Sequence, residues 1–385
     1  MPASAPATPA WAAPPPASAR AIMSGMAIVR HADHIREALR RAGADALWVH
    51  PSVNFRYLTG QQPLGLERPT ALVILAAGGL RAVAPLMLAS ELAEIDEVDV
   101  VGWTDDEGPV TAIARALDGV GRCAIDASLP SGVAFGLRDA RPGLDLALDP
   151  GILAGLRRCK APDELDRLRA AGREADAAAD WIATLDVAGR SERRLALELQ
   201  ARFLARGAEP YDGYVVATGA NGALPHHPTG DDPIAPDAPL LTDFGCRVGG
   251  YHSDITRMYL PSGVASEVSD AFELVCSAHD AVIDGLEPGM TCGDADRLAR
   301  DVIAAAGHGD RFVHRPGHGV GLEIHEEPYL RPGNPDVLAV GDVFSVEPGI
   351  YVPGRFGVRY ENLVHLAADG PELLNTGPRR LALAA

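Results

Sequence analysis

Basic residues are in deficit in this chain: 34 Lys and Arg stand against 52 Asp and Glu, a formal net charge of −18. A surface of that sign argues against nucleic acid and against anionic membrane as partners, since both attract basic proteins. Cysteine is sparse and irregular. Cys123, Cys159, Cys246, Cys276 and Cys292 are odd in number, scattered and without C-x-x-C spacing. That pattern excludes a disulfide framework and fits reduced, buried thiols in a cytoplasmic protein. Long apolar runs are missing as well: the longest, Ala71 to Leu80, is far short of the ~20 residues a membrane-spanning helix needs. Several catalytic signatures are equally absent. No G-x-S-x-G supports a serine hydrolase, and Asp243-Phe244-Gly245 lacks the other kinase motifs. Gly317-His-Gly-Val-Gly321 brings its third glycine one residue early for a dinucleotide loop, and Tyr329 stands where H-E-x-x-H needs its second histidine after His325-Glu326. The glycines of that segment read instead as backbone passing close to a metal held by His318.

What is present points to two domains, because 385 residues exceed the usual single core. Residues 1–25 are a Pro/Ala/Ser stretch expected to be a disordered tail, its prolines breaking any signal-peptide core; Met23 and Met26 are alternative starts. Residues 26–155 alternate helical and strand-like patterns, from Ile35, Leu39 and Ala42 through Ala46-Leu-Trp-Val49, and read as an α/β domain. A break is expected between Asp149 and Lys160, after Pro150-Gly151. In residues 156–385, Leu165, Leu168, Ala175 and Ile182 share one face of a long helix, and Ser191 and Thr291 are positioned to cap others. Helices flanking antiparallel hairpins make an α+β domain.

Two of those hairpins carry the chemistry. Pro239–Gly245 and Tyr251–Leu260 read as strands joined across Arg247-Val-Gly-Gly250; a turn centred on Val248 and Gly249 sets Asp243 opposite Asp254. By the same count Glu347 and Glu361 are equidistant from Gly354 in the Pro353-Gly354 turn. Acidic residues in strands are usually solvated. Two opposed pairs in apolar strands are another matter, because like charges ~5 Å apart across a ladder destabilise it. A pair of divalent ions offsets four carboxylates and leaves room for a hydroxide between metals roughly 3.5 to 4 Å apart. Carboxylate-rich ligation with one imidazole, His318, suits manganese or cobalt, with iron or zinc possible.

The segments Ala223-Leu-Pro-His-His227, Thr242-Asp-Phe-Gly245, Ser253-Asp-Ile-Thr-Arg257, His314-Arg-Pro-Gly-His-Gly-Val-Gly-Leu-Glu-Ile-His325, Val346-Glu-Pro-Gly-Ile-Tyr351 and Val358-Arg-Tyr-Glu361 resemble the pita-bread metallopeptidases, in particular the prolidase and aminopeptidase P branch. The resemblance covers about residues 158 to 376 strongly and 30 to 150 loosely, where Asn54-Phe-Arg-Tyr-Leu-Thr-Gly60 is similar to the creatinase-like amino-terminal domain of that family. It implies that Asp243 holds one metal, His318 and Glu347 the other, and that Asp254 and Glu361 bridge the two. It implies as well that His226, His314 and His325 line the substrate pocket, that the substrate is a small peptide, and that the protein is a homodimer. Tyr360 and Asn362 depart from the aliphatic residue and Asp that relatives often carry, which bears on the support of Glu361.

On this reading a hydroxide at the metals attacks the carbonyl before proline. Glu347 takes its proton and hands it to the leaving nitrogen, while His226 and His325 bond the substrate and the developing oxyanion. Arg359, on the same strand face as Glu361, is a candidate to fix that carboxylate or to grip the substrate carboxylate, and Arg331 is a second candidate grip. The expectation leans to an Xaa-Pro dipeptidase. Aminopeptidase P activity on longer peptides, a creatinase-like C–N hydrolase and a retired peptidase domain that only binds are the alternatives; the last two are expected to lack ligands that all stand here. His227 reads as structural.

Overall fold

The computed structural model describes residues 29–62 and 67–381, so the expected amino-terminal tail lies outside the described residues. The chain divides into two units, one ending at Arg157 and the other beginning at Arg158.

The first unit runs α1 (Ala32–Ala42), β1 (Ala46–Val49), α2 (Val53–Thr59), β2 (Ala71–Leu75), β3 (Leu80–Pro85), α3 (Leu86–Leu92), β4 (Val98–Trp103), α4 (Val110–Ala116), β5 (Arg122–Ile125), α5 (Ser131–Ala140), β6 (Asp145–Leu148) and α6 (Ile152–Arg158). Its strands form one mixed sheet in the order β4-β3-β2-β1-β5-β6. Trp48, Val73, Val83, Ile113 and Leu137 build an apolar core against it. The segment Asn54–Gly60 is helical because Ser52 accepts from the Asn54 N–H at 3.2 Å at one end and Gly60 takes φ 74° at the other. The break expected between Asp149 and Lys160 contains the boundary between the two units, and most of that stretch is helix. Both carboxylate oxygens of Asp149 accept from the first free N–H groups of α6, at 3.1 Å from Ile152 and 3.0 Å from Leu153, so Pro150-Gly151 starts a helix rather than a linker.

The second unit opens with α7 (Pro162–Ala183) and α8 (Glu192–Ala205), followed by β7 (Val215–Thr218), β8 (Leu240–Phe244), β9 (Arg247–Val248), β10 (Tyr251–His252) and β11 (Ile255–Tyr259). Then come α9 (Ser266–Gly285), α10 (Cys292–Ala305), β12 (Gly317–Gly319), β13 (Glu326–Leu330), β14 (Val343–Val346), β15 (Gly349–Val352), β16 (Phe356–Arg359), β17 (Asn362–Ala367), β18 (Gly370–Leu373) and β19 (Arg380–Leu381). Ser191 and Thr291 cap α8 and α10 through their hydroxyls, as their positions predict. The main sheets are β19-β11-β8-β7 and β13-β12-β14-β17-β18, with β15-β16 as a separate ribbon.

Two apolar clusters hold helices to these sheets. Ala175 and Ile182 of α7 and Leu195, Leu199 and Phe203 of α8 pack with Val216, Leu240, Phe244 and Ile255. Phe272, Val275 and Val282 of α9 and Ala295, Ala299 and Ile303 of α10 pack with Phe344, Val346 and Val364. Each fully buried large side chain contributes about 1.5–3 kcal/mol, and these contributions fix the two sheets as a rigid frame for polar groups that would not hold themselves in place.

Candidate metal centre

The hairpins set the carboxylates, and one register differs from expectation. Val248 pairs with Tyr251, so the turn is Gly249-Gly250, with φ of 58° and 88°. Those angles suit a type I′ turn, which needs positive φ at both central residues. Asp243 therefore opposes Thr256, not Asp254. The strand expected over Tyr251–Leu260 is also interrupted at Ser253-Asp254, between β10 and β11. Moving the turn centre by one residue moves the partner by two, which preserves the face; Asp254 stays on the side of Asp243, one step along. The other hairpin keeps its predicted register: Gly349 pairs with Arg359 in the ribbon and Val346 with Asn362 in the five-stranded sheet, so the count sets Glu347 opposite Glu361 where ribbon and sheet part.

Asp254, His318 and Glu361 are 6%, 3% and 1% exposed, and each offers a ligand atom within 4.8 Å of the other two. His318 Nε2 lies 3.2 Å from Glu347 Oε1 and 3.7 Å from Asp254 Oδ2. Its Nδ1 faces the Gly319 carbonyl at 3.2 Å. A carbonyl only accepts, so Nδ1 carries hydrogen and Nε2 is the ring nitrogen that faces the carboxylate oxygens. Something electropositive belongs between them. Burial, followed by the charges of the neighbouring carboxylates, pushes Asp254 and Glu361 well above the usual carboxylate range. Asp243 is raised by burial against the opposing pull of Arg359. Burial would raise Glu347 too, but the hydrogen bond and charge of His318 outweigh it and hold that carboxyl low. Oxygen donors facing one imidazole nitrogen, with two buried carboxyls that no Lys or Arg is paired with among the described residues, fit divalent metal.

Surrounding groups lock this arrangement. Arg359 donates from Nη2 to Asp243, from Nε to Thr256 Oγ1 at 2.9 Å, and from Nη1 to the Tyr351 hydroxyl at 2.7 Å and the Pro225 carbonyl at 3.3 Å. The Thr256 hydroxyl in turn donates to Glu361 Oε2 at 2.7 Å, and Ser345 Oγ to Glu347 Oε1 at 3.2 Å. Arg359 is thus spent on Asp243 and, through Thr256, on Glu361, which corrects its candidacy as a grip for substrate carboxylate. The departures at Tyr360 and Asn362 leave Glu361 supported. Asn362 Oδ1 accepts from Arg257 at 2.9 Å, Asn362 Nδ2 donates to the Tyr360 hydroxyl at 2.8 Å, and Arg257 donates to the Glu361 carbonyl at 2.6 Å.

The glycines of Gly317–Gly321 also need correction. A Cβ on Gly317 would lie 2.0 Å from the Ser345 carbonyl oxygen and one on Gly319 2.2 Å from that of Glu327. They let β12 pass between β13 and β14, and it is protein backbone rather than metal that they accommodate.

His226, Asp243, Asp254, His314, His318, His325, Arg331, Glu347, Arg359 and Glu361 all line one cavity of about 710 Å³. His226 and His325 present exposed rings to it, and Arg331 is exposed. Burial, then the charges of His318 and Arg315, hold His325 down to about 4, so it stands neutral. His314 differs from expectation in what it can offer: Nδ1 donates to the Arg315 carbonyl at 2.7 Å and Nε2 accepts from the Tyr351 hydroxyl at 2.8 Å, so both nitrogens are committed within the protein. His227 is bonded to buried Glu192 at 2.7 Å. Sequence reasoning missed Thr256 and Tyr351. The period of two carried a signal for both, since Thr256 shares a face with Asp254, and Tyr351 one with Gly349, the partner of Arg359.

Comparison with known proteins agrees with this geometry. The profile of Metallopeptidase family M24 matches residues 166–368, and that of the Creatinase/Prolidase N-terminal domain residues 32–159. The chain is 36% identical over 346 residues to the probable dipeptidase PepE of Mycobacterium bovis, covering 88% of this chain and 92% of that one. It is 31% identical over 347 residues to an Xaa-Pro dipeptidase of Lactobacillus delbrueckii subsp. lactis, covering 88% and 94%. A crystal structure of recombinant prolidase from Thermococcus sibiricus superposes with a TM-score of 0.87 at 33% identity, over 92% of this chain and 98% of that one. With a creatinase-type amino-terminal domain ahead of a pita-bread domain, the chain belongs to metallopeptidase family M24.

Proposed function

We propose that this chain hydrolyses the peptide bond before proline in Xaa-Pro dipeptides. The observation that carries the reading is the convergence of its carboxylates and histidines, from separate strands and loops, on one cavity with a buried Asp254-His318-Glu361 cluster. Its relatives named dipeptidase and Xaa-Pro dipeptidase, aligned along nearly their whole length, support the substrate class.

Asp243 would hold one divalent ion, His318 and Glu347 a second, with Asp254 and Glu361 shared; manganese or cobalt suits the oxygen-rich donor set. When bound, such a pair supplies Lewis-acid polarisation and acidifies water. The protein's own groups do the rest. Glu347, steadied by Ser345, takes the proton of the attacking water and passes it to the proline nitrogen as the C–N bond breaks. His226, and His325 held neutral by burial, donate to the substrate backbone and to the developing oxyanion. With Arg359 committed to Asp243, the substrate carboxylate falls to Arg331 and to Arg315, which lies beside it on the cavity wall in the same lining. Free cysteines at all five positions support a reducing, cytoplasmic setting, and a homodimer completes the reading.

Cleavage of Ala-Pro, Ala-Pro-amide and Ala-Pro-Ala tests it. A grip on the free carboxylate predicts kcat/KM at least ~10-fold higher for Ala-Pro, the value of one charge-assisted contact. Equal or better cleavage of the tripeptide assigns aminopeptidase P activity instead.

A further inference from the structure

The charged groups on the cavity wall divide into those with partners inside the protein and those without. Arg359 is bound to Asp243. Arg300 holds Asp296 with two bonds of 2.9 and 2.7 Å and donates to the Phe312 and His314 carbonyls, each at 3.1 Å. Asp243, Asp254, Glu347 and Glu361 are the candidate ligands. Three groups remain. Among the described residues the Arg315 side chain makes only a ring contact, 4.6 Å over Tyr329. Arg331 is exposed, and Asp212 is an exposed carboxylate that makes no hydrogen bond or ion pair with any described residue.

These three are segregated by sign. Asp212 stands three residues ahead of Val215, which opposes Asp243 across β7 and β8, so it enters the cavity from the four-stranded sheet. Arg315 precedes β12 and Arg331 follows β13, so both enter from the five-stranded sheet. One free negative charge and two free positive ones line the same cavity as the metal ligands and reach it from different sheets. A fifth carboxylate in a cavity that already holds four adds to its negative potential, a cost that a cationic group of the substrate offsets.

We propose that Asp212 binds the α-ammonium of the substrate. The proposal rests on the dipeptidase reading above and extends it. A dipeptide is a zwitterion whose two end charges match the leftover charges of the wall in sign, the ammonium towards Asp212 and the carboxylate towards Arg315 and Arg331. The pair acts as a ruler: a peptide lengthened at either end carries one charge past its partner.

The test compares manganese-loaded wild type with Asp212→Asn on Ala-Pro and on lactoyl-proline, which has the same scissile bond but a hydroxyl in place of the ammonium. Wild type is expected to prefer Ala-Pro by ~10-fold or more, as for one charge-assisted bond. In Asp212→Asn that preference collapses ~10-fold, mostly through KM for Ala-Pro, and Asp212→Glu recovers part of it. Manganese content, read by elemental analysis, stays at the wild-type value. Equal losses on both substrates would show a structural role and overturn the proposal, as would an unchanged KM for Ala-Pro or a loss confined to Lys-Pro. A wild type that does not cleave Ala-Pro overturns the dipeptidase reading itself, a result separate from any difference between the variants.

Discussion

The two hairpins that supply the four carboxylates solve the same electrostatic problem differently. In the β8–β11 hairpin Asp243 faces Thr256 and receives a protein cation, Arg359, from the other hairpin. Where β14–β17 gives way to the ribbon, Glu347 and Glu361 face one another; Glu347 has His318 and Ser345, whereas among the described residues Glu361 receives only the Thr256 hydroxyl on its carboxylate. Each hairpin therefore contributes one carboxylate with a close charged or ionisable partner and one less well compensated: Asp254, which has His318 Nε2 only at 3.7 Å, and Glu361 are that second pair. Uncompensated buried charge is expensive, so these two positions mark where external positive charge is needed most. That inference comes from the electrostatics alone, yet it selects the two residues that the resemblance makes bridging ligands.

The largest effect should come from removing that pair's charge. Asp254→Asn or Glu361→Gln is expected to lose bound transition metal and to lower kcat/KM by at least ~10³-fold, about 4 kcal/mol of Lewis-acid stabilisation. The same variants, freed of a buried uncompensated carboxylate, should be more stable than wild type after chelation. A gain of roughly 1 to 2 kcal/mol raises Tm by a few degrees in a domain of this size. Elemental analysis and thermal unfolding with and without chelator check both halves. A chelated variant less stable than chelated wild type would show that Asp254 and Glu361 are compensated within the protein, and the contrast between partnered and unpartnered carboxylates would collapse.

Arg359 gives the complementary measurement. Arg359→Met keeps the bulk but strands Asp243, and breaking a buried pair by removing one partner costs roughly 3–5 kcal/mol. The loss should be large in chelated protein and smaller once manganese is bound, because metal at Asp243 replaces the missing charge. Urea unfolding at fixed manganese concentrations reads the difference directly. An equal loss in both states would mean that Arg359 acts through packing.

The hairpins also differ in how far sequence could specify them. Pro353-Gly354 offers a single turn, and the register of Glu347 and Glu361 followed. Arg247-Val-Gly-Gly250 permits two, and only the demand for positive φ at both central residues selects Gly249-Gly250. The error cost little, because a two-residue displacement keeps the face. Side-chain commitments were beyond local reading: Arg359 meets Asp243 and Thr256 more than a hundred positions away, and nothing near it in sequence shows that its donors are spent. In the first unit, α2, α5, β6 and α6 are short and carry too few residues for a periodic signal, whereas the long α7 and the capped α8 and α10 were plain. Asp212 was overlooked for the opposite reason: a lone Asp near a strand end looks like surface until the cavity around it is known.

The smallest predicted effect asks whether turn geometry reaches the ligands. Gly250 and Gly354 both adopt positive φ, 88° and 70°, so Ala at either should cost about 1–2 kcal/mol of local strain. The consequences for metal should differ. Between Gly250 and Asp254 stand the two-residue strand β10, paired with an equally short β9, and Ser253, so strain relieved by slippage is passed to the ligand. Between Gly354 and Glu347 or Glu361 stand the four pairs of β15 and β16, and beyond those carboxylates the β14–β17 ladder holds the same register. Strain at Gly354 is therefore absorbed in the ribbon before it reaches the site. Gly250→Ala should weaken manganese binding by ~3- to 10-fold, a share of that strain converted at 1.4 kcal/mol per decade, while Gly354→Ala leaves it within ~2-fold at a similar loss of Tm. Titration calorimetry with manganese decides. Equal weakening by both substitutions would show that the ribbon does not insulate the second carboxylate pair, and that the two hairpins position their ligands by the same means.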